Sequence, residues 1–536
     1  MLNRQLSLIL LVVAVIVSVS VLLGLPALPF STSGHVVQAQ GVITHTTYLP
    51  LIVGGNNSCT ALEVPSPFSL QIAALHQVAG TEIATLRQAE GDSPESNLRP
   101  LAEAEWLAVY DQPFPTLMAA LKESGAGWAR VRINWSWIEP NPPQAGQPPN
   151  YVWGPYHDQK LRAGAETGVK LIATVADLPD WAGVSPCTPL YPDRRDEFAR
   201  FLTDLVKRYK QPPYNIRHWE LFNEPDGTWE NLWAGGLGCW GNSGDQYAQM
   251  LAVAYPAIKA ADPGATVLLG GVAHDWFTEY AGPFYRYFPD DVMAAGGGKF
   301  VDALSFHYFP DFHAEWDRWD PNSPDRRNGW LPAPTCGDLF DAKGTEYEAT
   351  GSDITAKTNH FRNRMRTCFG VNKPIWITEL AEHGYANDTN SLNQQARYVI
   401  QGHVRGLAAG VKNITWYALS TPNDSYQQAL LFDDLAPKPA FYAYKTLTTE
   451  LDGFEYARTL TIAAGEGYVF KRPCGPEKTV AWGSGSYTLT AGSVRIVNRT
   501  GTAKTVLDGA AEDMDQIKDG KIKLQLSADP IFISLN

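Results

Sequence analysis

The sequence predicts an α/β protein, a (β/α)8 TIM barrel followed by a smaller C-terminal all-β sandwich, and three observations carry that expectation. Between residues 61 and 450, short β-branched runs alternate with amphipathic stretches, the pattern of a parallel sheet whose strands are joined by helices. Beyond Leu451 the helical stretches stop and short alternating segments take over. The length, 536 residues, exceeds what one hydrophobic core organises, so a large unit plus a smaller one is expected.

Eight runs qualify as barrel strands: Phe68 to Ala73, Ala129 to Asn134, Lys170 to Val175, Ile216 to Phe222, Thr266 to Gly270, Ala303 to His307, Ile375 to Thr378 and Asn413 to Tyr417. The stretches between them have helical periodicity. Asp196 to Arg208 places Phe198, Phe201, Leu202 and Leu205 on one face, and Ser391 to Ala409 behaves alike. In such a barrel the functional residues gather at the carboxyl ends of the strands. The sandwich, residues 451–536, is read from Gly467 to Lys471, Thr479 to Trp482, Ser493 to Asn498, Lys521 to Leu526 and Pro530 to Leu535. Its role is mainly structural, with Trp482 and Tyr487 as platforms in the functional alternative.

Residues 1–39 begin with Arg4, then an apolar run from Leu6 to Leu25 and small or polar residues up to Ala39. This is an export signal, cleaved after Ala39 or retained as a membrane anchor, because the run is long enough to span a bilayer. The expected location is secreted or extracellular, with membrane tethering through this segment as the variant. Residues 40–60 read as a linker. Six cysteines (Cys59, Cys187, Cys239, Cys336, Cys368 and Cys474) form an even set that permits disulfides without fixing their pairing, and free buried thiols are the alternative. None lies in a CxxC pair, so zinc is unsupported.

The formal net charge of −13 and the absence of any lysine and arginine run argue against a nucleic-acid partner. Seventeen tryptophans supply flat apolar faces suited to stacking on sugar rings. Asp317, Asp320, Asn322 and Asp325 have a spacing that a calcium ion can use, but no EF-hand pattern accompanies them, so neither metal nor cofactor is expected.

Two motifs carry the chemistry. HWELFNEP, His218 to Pro225, ends a strand with Asn223 and Glu224; KPIWITELAEHG delivers Glu379 from the strand Ile375 to Thr378. Two acids on two strand tips of one barrel face form the pair that substitution at an acetal carbon requires. Glu382, three residues further on, rivals Glu379 if the strand runs longer.

With NEP on the fourth strand and TE on the seventh, residues 65 to 450 resemble the retaining glycoside hydrolases of clan A, families 39 and 5 being the nearest likenesses. The resemblance implies a carbohydrate substrate and double displacement at β-glycosidic bonds of polysaccharides or oligosaccharides, with Glu379 as nucleophile and Glu224 as acid and then base. Proximity of the ionised Glu379 is expected to keep Glu224 protonated. It also implies that Asn223 binds the sugar 2-hydroxyl, that Arg132 holds the nucleophile ionised, that Trp416 floors the sugar site and that His307 sits on the sixth strand. The family places a tyrosine two residues after that histidine, where this chain has Phe309, and Tyr308 falls on the opposite strand face. Trp229, Trp233 and Trp240, close to Glu224 in sequence, are candidates for sugar contact. Long loops at about 75–112 and 310–350 are expected to set substrate choice. Two other readings share these residues: a non-catalytic glycan-binding barrel, which Phe309 would favour, and a transglycosylase using the same two glutamates.

Overall fold

The computed structural model describes residues 65–72, 114–228, 239–275, 278, 282–310, 353–421, 424–473 and 475–535. The export signal, the linker, Trp229, Trp233 and the two long loops lie outside these residues. Among the described residues no helix is long and apolar enough to cross a membrane.

Eight parallel strands, β1 (Phe68–Gln71), β2 (Trp128–Asn134), β3 (Lys170–Ala176), β4 (His218–Leu221), β5 (Thr266–Leu268), β6 (Leu304–Tyr308), β7 (Ile375–Leu380) and β8 (Asn413–Trp416), form one sheet in the order β5-β4-β3-β2-β1-β8-β7-β6. Parallel bridges Leu268↔Ala303 and Val272↔Phe306 join its two edges, so the sheet closes on itself. After each strand comes a helix: α1 (Phe114–Ser124), α2 (Gly154–Glu166), α3 (Arg195–Tyr209), α4 (Gly244–Ala261), α5 (Phe288–Ala294), α6 (Asp353–Phe369), α7 (Thr389–Ala408) and α8 (Pro439–Leu451). Helix α3 shows why these segments fold as they do. Phe198, Phe201, Leu202 and Leu205 are buried on one face, while Asp196 and Glu197 in the first turn and Lys207 and Arg208 in the last complement the helix dipole.

Side chains fill the barrel in layers, as closed parallel sheets require. Trp128, Ile172, Leu268, Ala303 and Trp376 make an apolar plug near the amino ends, with His218 edge-on to Trp128 at 4.6 Å. The next inward positions are polar: Arg130, Thr174, Glu220 and Ser305 meet in hydrogen bonds. The polar layer lies directly beneath the carboxyl ends of the strands.

The C-terminal region holds a six-stranded antiparallel sheet and the two-stranded pair Ser486–Thr490 with Lys521–Gln525. Ile522 and Leu524 of the pair pack with Ala481, Val494, Ile496 and Ile533 of the larger sheet, which makes a two-layer β structure. Its other apolar residues, Phe470, Val480 and Phe532, join the core that surrounds the barrel. Trp482 is no sugar platform. It is buried, stacked on Tyr468 at 5.5 Å, and lies under the Arg405 guanidinium of α7, whose Nη2 also pairs with Glu466 at 2.6 Å. Tyr487 packs half-buried against the sandwich core.

Candidate active site

Strand β4 alternates as expected through His218 and Glu220, which point inward, and then breaks the rule. Phe222 takes φ +66°, in the left-handed region, and its ring turns outward to pack on Phe198, Trp240 and Tyr247. Burial of that ring holds the strained backbone. As a result Asn223 and Glu224, rather than Phe222, face the barrel mouth, and Glu224 is itself left-handed at φ +44°. Its N–H donates to Gly271 O at 2.9 Å.

A β-bulge performs the corresponding task on β7. Phe306 pairs with Ile377, but the next residue, His307, pairs with Glu379, so β7 carries one extra residue at Thr378. The neighbour β8 records the same irregularity between Ile377 and Leu380. From the inward Trp376, strict alternation would turn Glu379 outward. The bulge brings it inside.

Glu224, His307 and Glu379 offer ligand atoms that all lie within 4.8 Å of one another. His307 Nδ1 is 2.9 Å from Glu224 Oε1 and 3.5 Å from Glu379 Oε2. Burial pushes the imidazole down to about 4, so it is neutral near pH 7. Two carboxylates and a histidine also suit a divalent ion, but Arg130 Nη1 already sits 2.6 Å from Glu379 Oε1 and delivers a fixed positive charge there. Arg130 organises the whole floor: Nε reaches Glu220 Oε2 at 2.7 Å, Nη1 also reaches Gln71 Oε1 at 2.6 Å, and Nη2 donates to Asn223 Oδ1 at 2.7 Å. Because Asn223 accepts there through its oxygen, its amide N–H groups are not spent on Arg130.

The electrostatics follow from this packing. Burial raises the Glu224 carboxyl to about 7, against the pull of Arg130, Lys357 and Arg132. Burial, and not the Glu379 charge, is the leading cause. Glu379 is also raised by burial and by Glu224, with His307 and Arg130 opposing. Glu220, although burial works against it, is held below the ordinary carboxylate range by Arg130, His307 and a hydrogen bond from Thr174. Asp226, buried beyond Glu224, accepts from the N–H groups of Ala273 and His274 at 3.0 and 2.7 Å and fixes the loop that follows β5.

A family model described as cellulase, glycosyl hydrolase family 5, matches residues 91–417. The chain belongs to glycosyl hydrolase family 5. Solved structures share its fold: a family 39 glycoside hydrolase from the gut symbiont Bacteroides cellulosilyticus WH2 is 19% identical over 78% of this chain and 77% of that one, with a TM-score of 0.56. The catalytic domain of family 30 xylanase C from Talaromyces cellulolyticus is 15% identical over 90% and 99%, at 0.52. A glucosidase from Croceicoccus marinus is 12% identical over 78% and 91%, at 0.51. No curated protein matches the chain.

Several expected site residues of this family 5 chain lie elsewhere. Arg132 does not touch Glu379; it pairs with Asp177, and Arg130, one inward position deeper, holds the glutamate. Trp416 is fully buried on the outer face of β8, stacked near His403 of α7 with its indole N–H donating to Gln428 O, so it floors nothing. The inward residue is Tyr417. Its hydroxyl is pushed up by burial and by Glu379, Asp424 and Glu224, and its ring meets Phe309 edge-on at 6.1 Å. A phenol is therefore present beside Phe309, supplied by another strand. Tyr308 is buried on the outer face with the Lys357 ammonium over its ring at 5.7 Å, away from the cleft. Trp240 is likewise buried, against Phe222. Glu382 lies on the loop beyond β7 with Oε1 accepting from the His383 N–H at 3.0 Å.

Sequence reading missed Arg130, Glu220, Asp226, Tyr417 and Gly271. A Cβ on Gly271 would collide with the His307 ring and Thr378 Oγ1. Gly271→Ala is accordingly expected to displace His307 and lower kcat by about 10- to 100-fold, with a smaller change in KM. Comparing kcat and KM on an aryl β-glycoside checks this, and an unchanged kcat would contradict the packing argument. The disulfide Cys187–Cys239 joins the loop after β3 to the loop after β4, and Cys239 N–H donates to Gly227 O beside Glu224. Cys368 is also disulfide-bonded.

Proposed function

We propose that this family 5 chain is a retaining β-glycosidase acting on polysaccharides or their oligomers, with Glu379 as nucleophile and Glu224 as acid and base. The single observation that carries this reading is the separation of the two carboxylates. Ligand oxygens within 4.8 Å of one another fit double displacement, which uses carboxyl groups about 5–5.5 Å apart, and fall short of the roughly 6.5–9.5 Å that inversion needs.

In the first step Glu379 attacks the anomeric carbon while the Glu224 proton passes to the departing oxygen. Arg130 fixes the attacking oxygen, and the amide of Asn223 donates to the 2-hydroxyl as charge develops on the ring. Once Glu379 is esterified, its negative charge is gone. Arg130 and Lys357, no longer offset by that charge, then draw Glu224 toward the ionised form that accepts a proton from water. Tyr417 beside Phe309 favours this catalytic reading over a barrel that only binds glycans. The disulfide Cys187–Cys239 supports an exported location, since such bonds persist in oxidising compartments.

Proton NMR of the first product formed from an aryl β-glycoside tests the mechanism: the β-anomer is expected, and an α-anomer at early times would establish inversion. The pH profile supplies a second check. Glu224 must be protonated to act as acid and has been raised to about 7, so kcat/KM is expected to fall about tenfold per unit as pH rises beyond that value. A profile flat to pH 9 would remove Glu224 from that role.

A further inference from the structure

Arg132 and Asp177 form a charged pair in direct contact with neither Glu224 nor Glu379. Arg132 Nε donates to Asp177 Oδ2 at 3.0 Å, and Nη2 pairs with Oδ1. Both side chains keep contact with solvent, 35% of Arg132 and 16% of Asp177. Arg132 lies two residues beyond Arg130 on the same inward face of β2, so its Cα is about 6.6 Å further along the strand toward the mouth. Its charge is still felt at Glu224.

The local backbone is built around this pair. Asp177 takes φ +58°, a conformation that a non-glycine residue adopts at a cost and that surrounding structure must enforce. The Ser136 N–H holds the Asp177 carbonyl at 2.8 Å, fixing the turn after β3 to the turn after β2. Four residues on, half-buried Trp181 is locked by its indole N–H to Glu139 O at 3.1 Å and by edge contact with Trp135 at 5.2 Å. Among the described residues no group takes up Arg132 Nη1.

A half-buried arginine already neutralised by an aspartate is poorly suited to an anion. It presents N–H donors beside carboxylate acceptors in one plane, the complement of two adjacent hydroxyls that each accept and donate. We propose that Arg132 and Asp177 form a subsite for a second, neutral sugar ring, read through a vicinal diol. The subsite rests on the glycosidase reading for its substrate class, and binding tests it without turnover.

The experiment is calorimetric titration of Glu379→Ala protein with mono- to tetrasaccharides of β-linked glucose and of β-linked xylose. Turnover by the parent protein reports separately on the glycosidase reading. Affinity is expected to rise when a ring reaches the subsite, and Arg132→Gln or Asp177→Asn should each remove about 10- to 100-fold of that rise while leaving monosaccharide affinity in place. A ligand lacking one hydroxyl of the diol should lose affinity for the parent pair and lose nothing further in the Arg132→Gln variant. Equal losses on one ring and on three, or no gain with chain length in either series, would overturn the assignment.

Discussion

Glu379→Ala is expected to lower turnover of aryl β-glycosides by at least about 10⁴-fold, because the proposed double displacement then loses its nucleophile. The alanine leaves a hole beside the Arg130 guanidinium, which remains anchored by Glu220. On the proposed mechanism a small anion can enter that hole and attack from the face assigned to Glu379. Added azide should therefore restore rate and yield an α-glycosyl azide from a β-substrate. The same treatment of Glu382→Ala should do nothing, since Glu382 is engaged with the His383 N–H beyond the bulge. Azide rescue of Glu382→Ala and not of Glu379→Ala would reverse the assignment.

Arg130 carries the second large effect, on stability as well as rate. One guanidinium binds Gln71, Glu220, Asn223 and Glu379. Lysine keeps the charge but cannot address four partners from a single ammonium, so Arg130→Lys is expected to cost about 10²–10³ in kcat. Arg130→Met strands two buried carboxylates and should destabilise the fold by about 3–5 kcal/mol at neutral pH. The sign of its pH dependence follows from Glu220. In the parent its folded value is depressed, so its stabilising contribution is present above the ordinary carboxylate range and is lost as pH falls through the folded value. Without Arg130, the largest influence opposing burial is gone and the group rises, so the variant is penalised most where the carboxylate must stay charged. Urea melts at pH 7.5 and pH 5 should show the deficit shrinking in acid, and an equal deficit at both would falsify the ion-pair account.

Inward and outward alternation made much of the barrel legible. His307 inward and Tyr308 outward follow from a regular β6, and α3 follows from four apolar residues at helical spacing. Alternation failed where the backbone departs from it. Phe222 at φ +66° and the extra residue at Thr378 each reverse the parity of the residues after them, and nothing local in the sequence announces either. Sequence alone does not separate Arg132 from Arg130, for a related reason. Both point inward, and only their depth in a tilted, staggered barrel tells them apart. On β8 the aromatic pair Trp416 and Tyr417 posed the same ambiguity, resolved when Trp416 packed outward against α7.

By itself the sequence determined the order of the elements and the two acidic strand tips, because periodicity and strand-end motifs are local properties of the chain. Only the tertiary structure decided that Glu379 faces Glu224, that Arg130 and not Arg132 sits between Glu220 and Glu379, and that Tyr417 stands beside Phe309. These depend on a bulge, a left-handed residue and the stagger of eight strands, which are settled by packing across the barrel and not by any residue's neighbours in the chain.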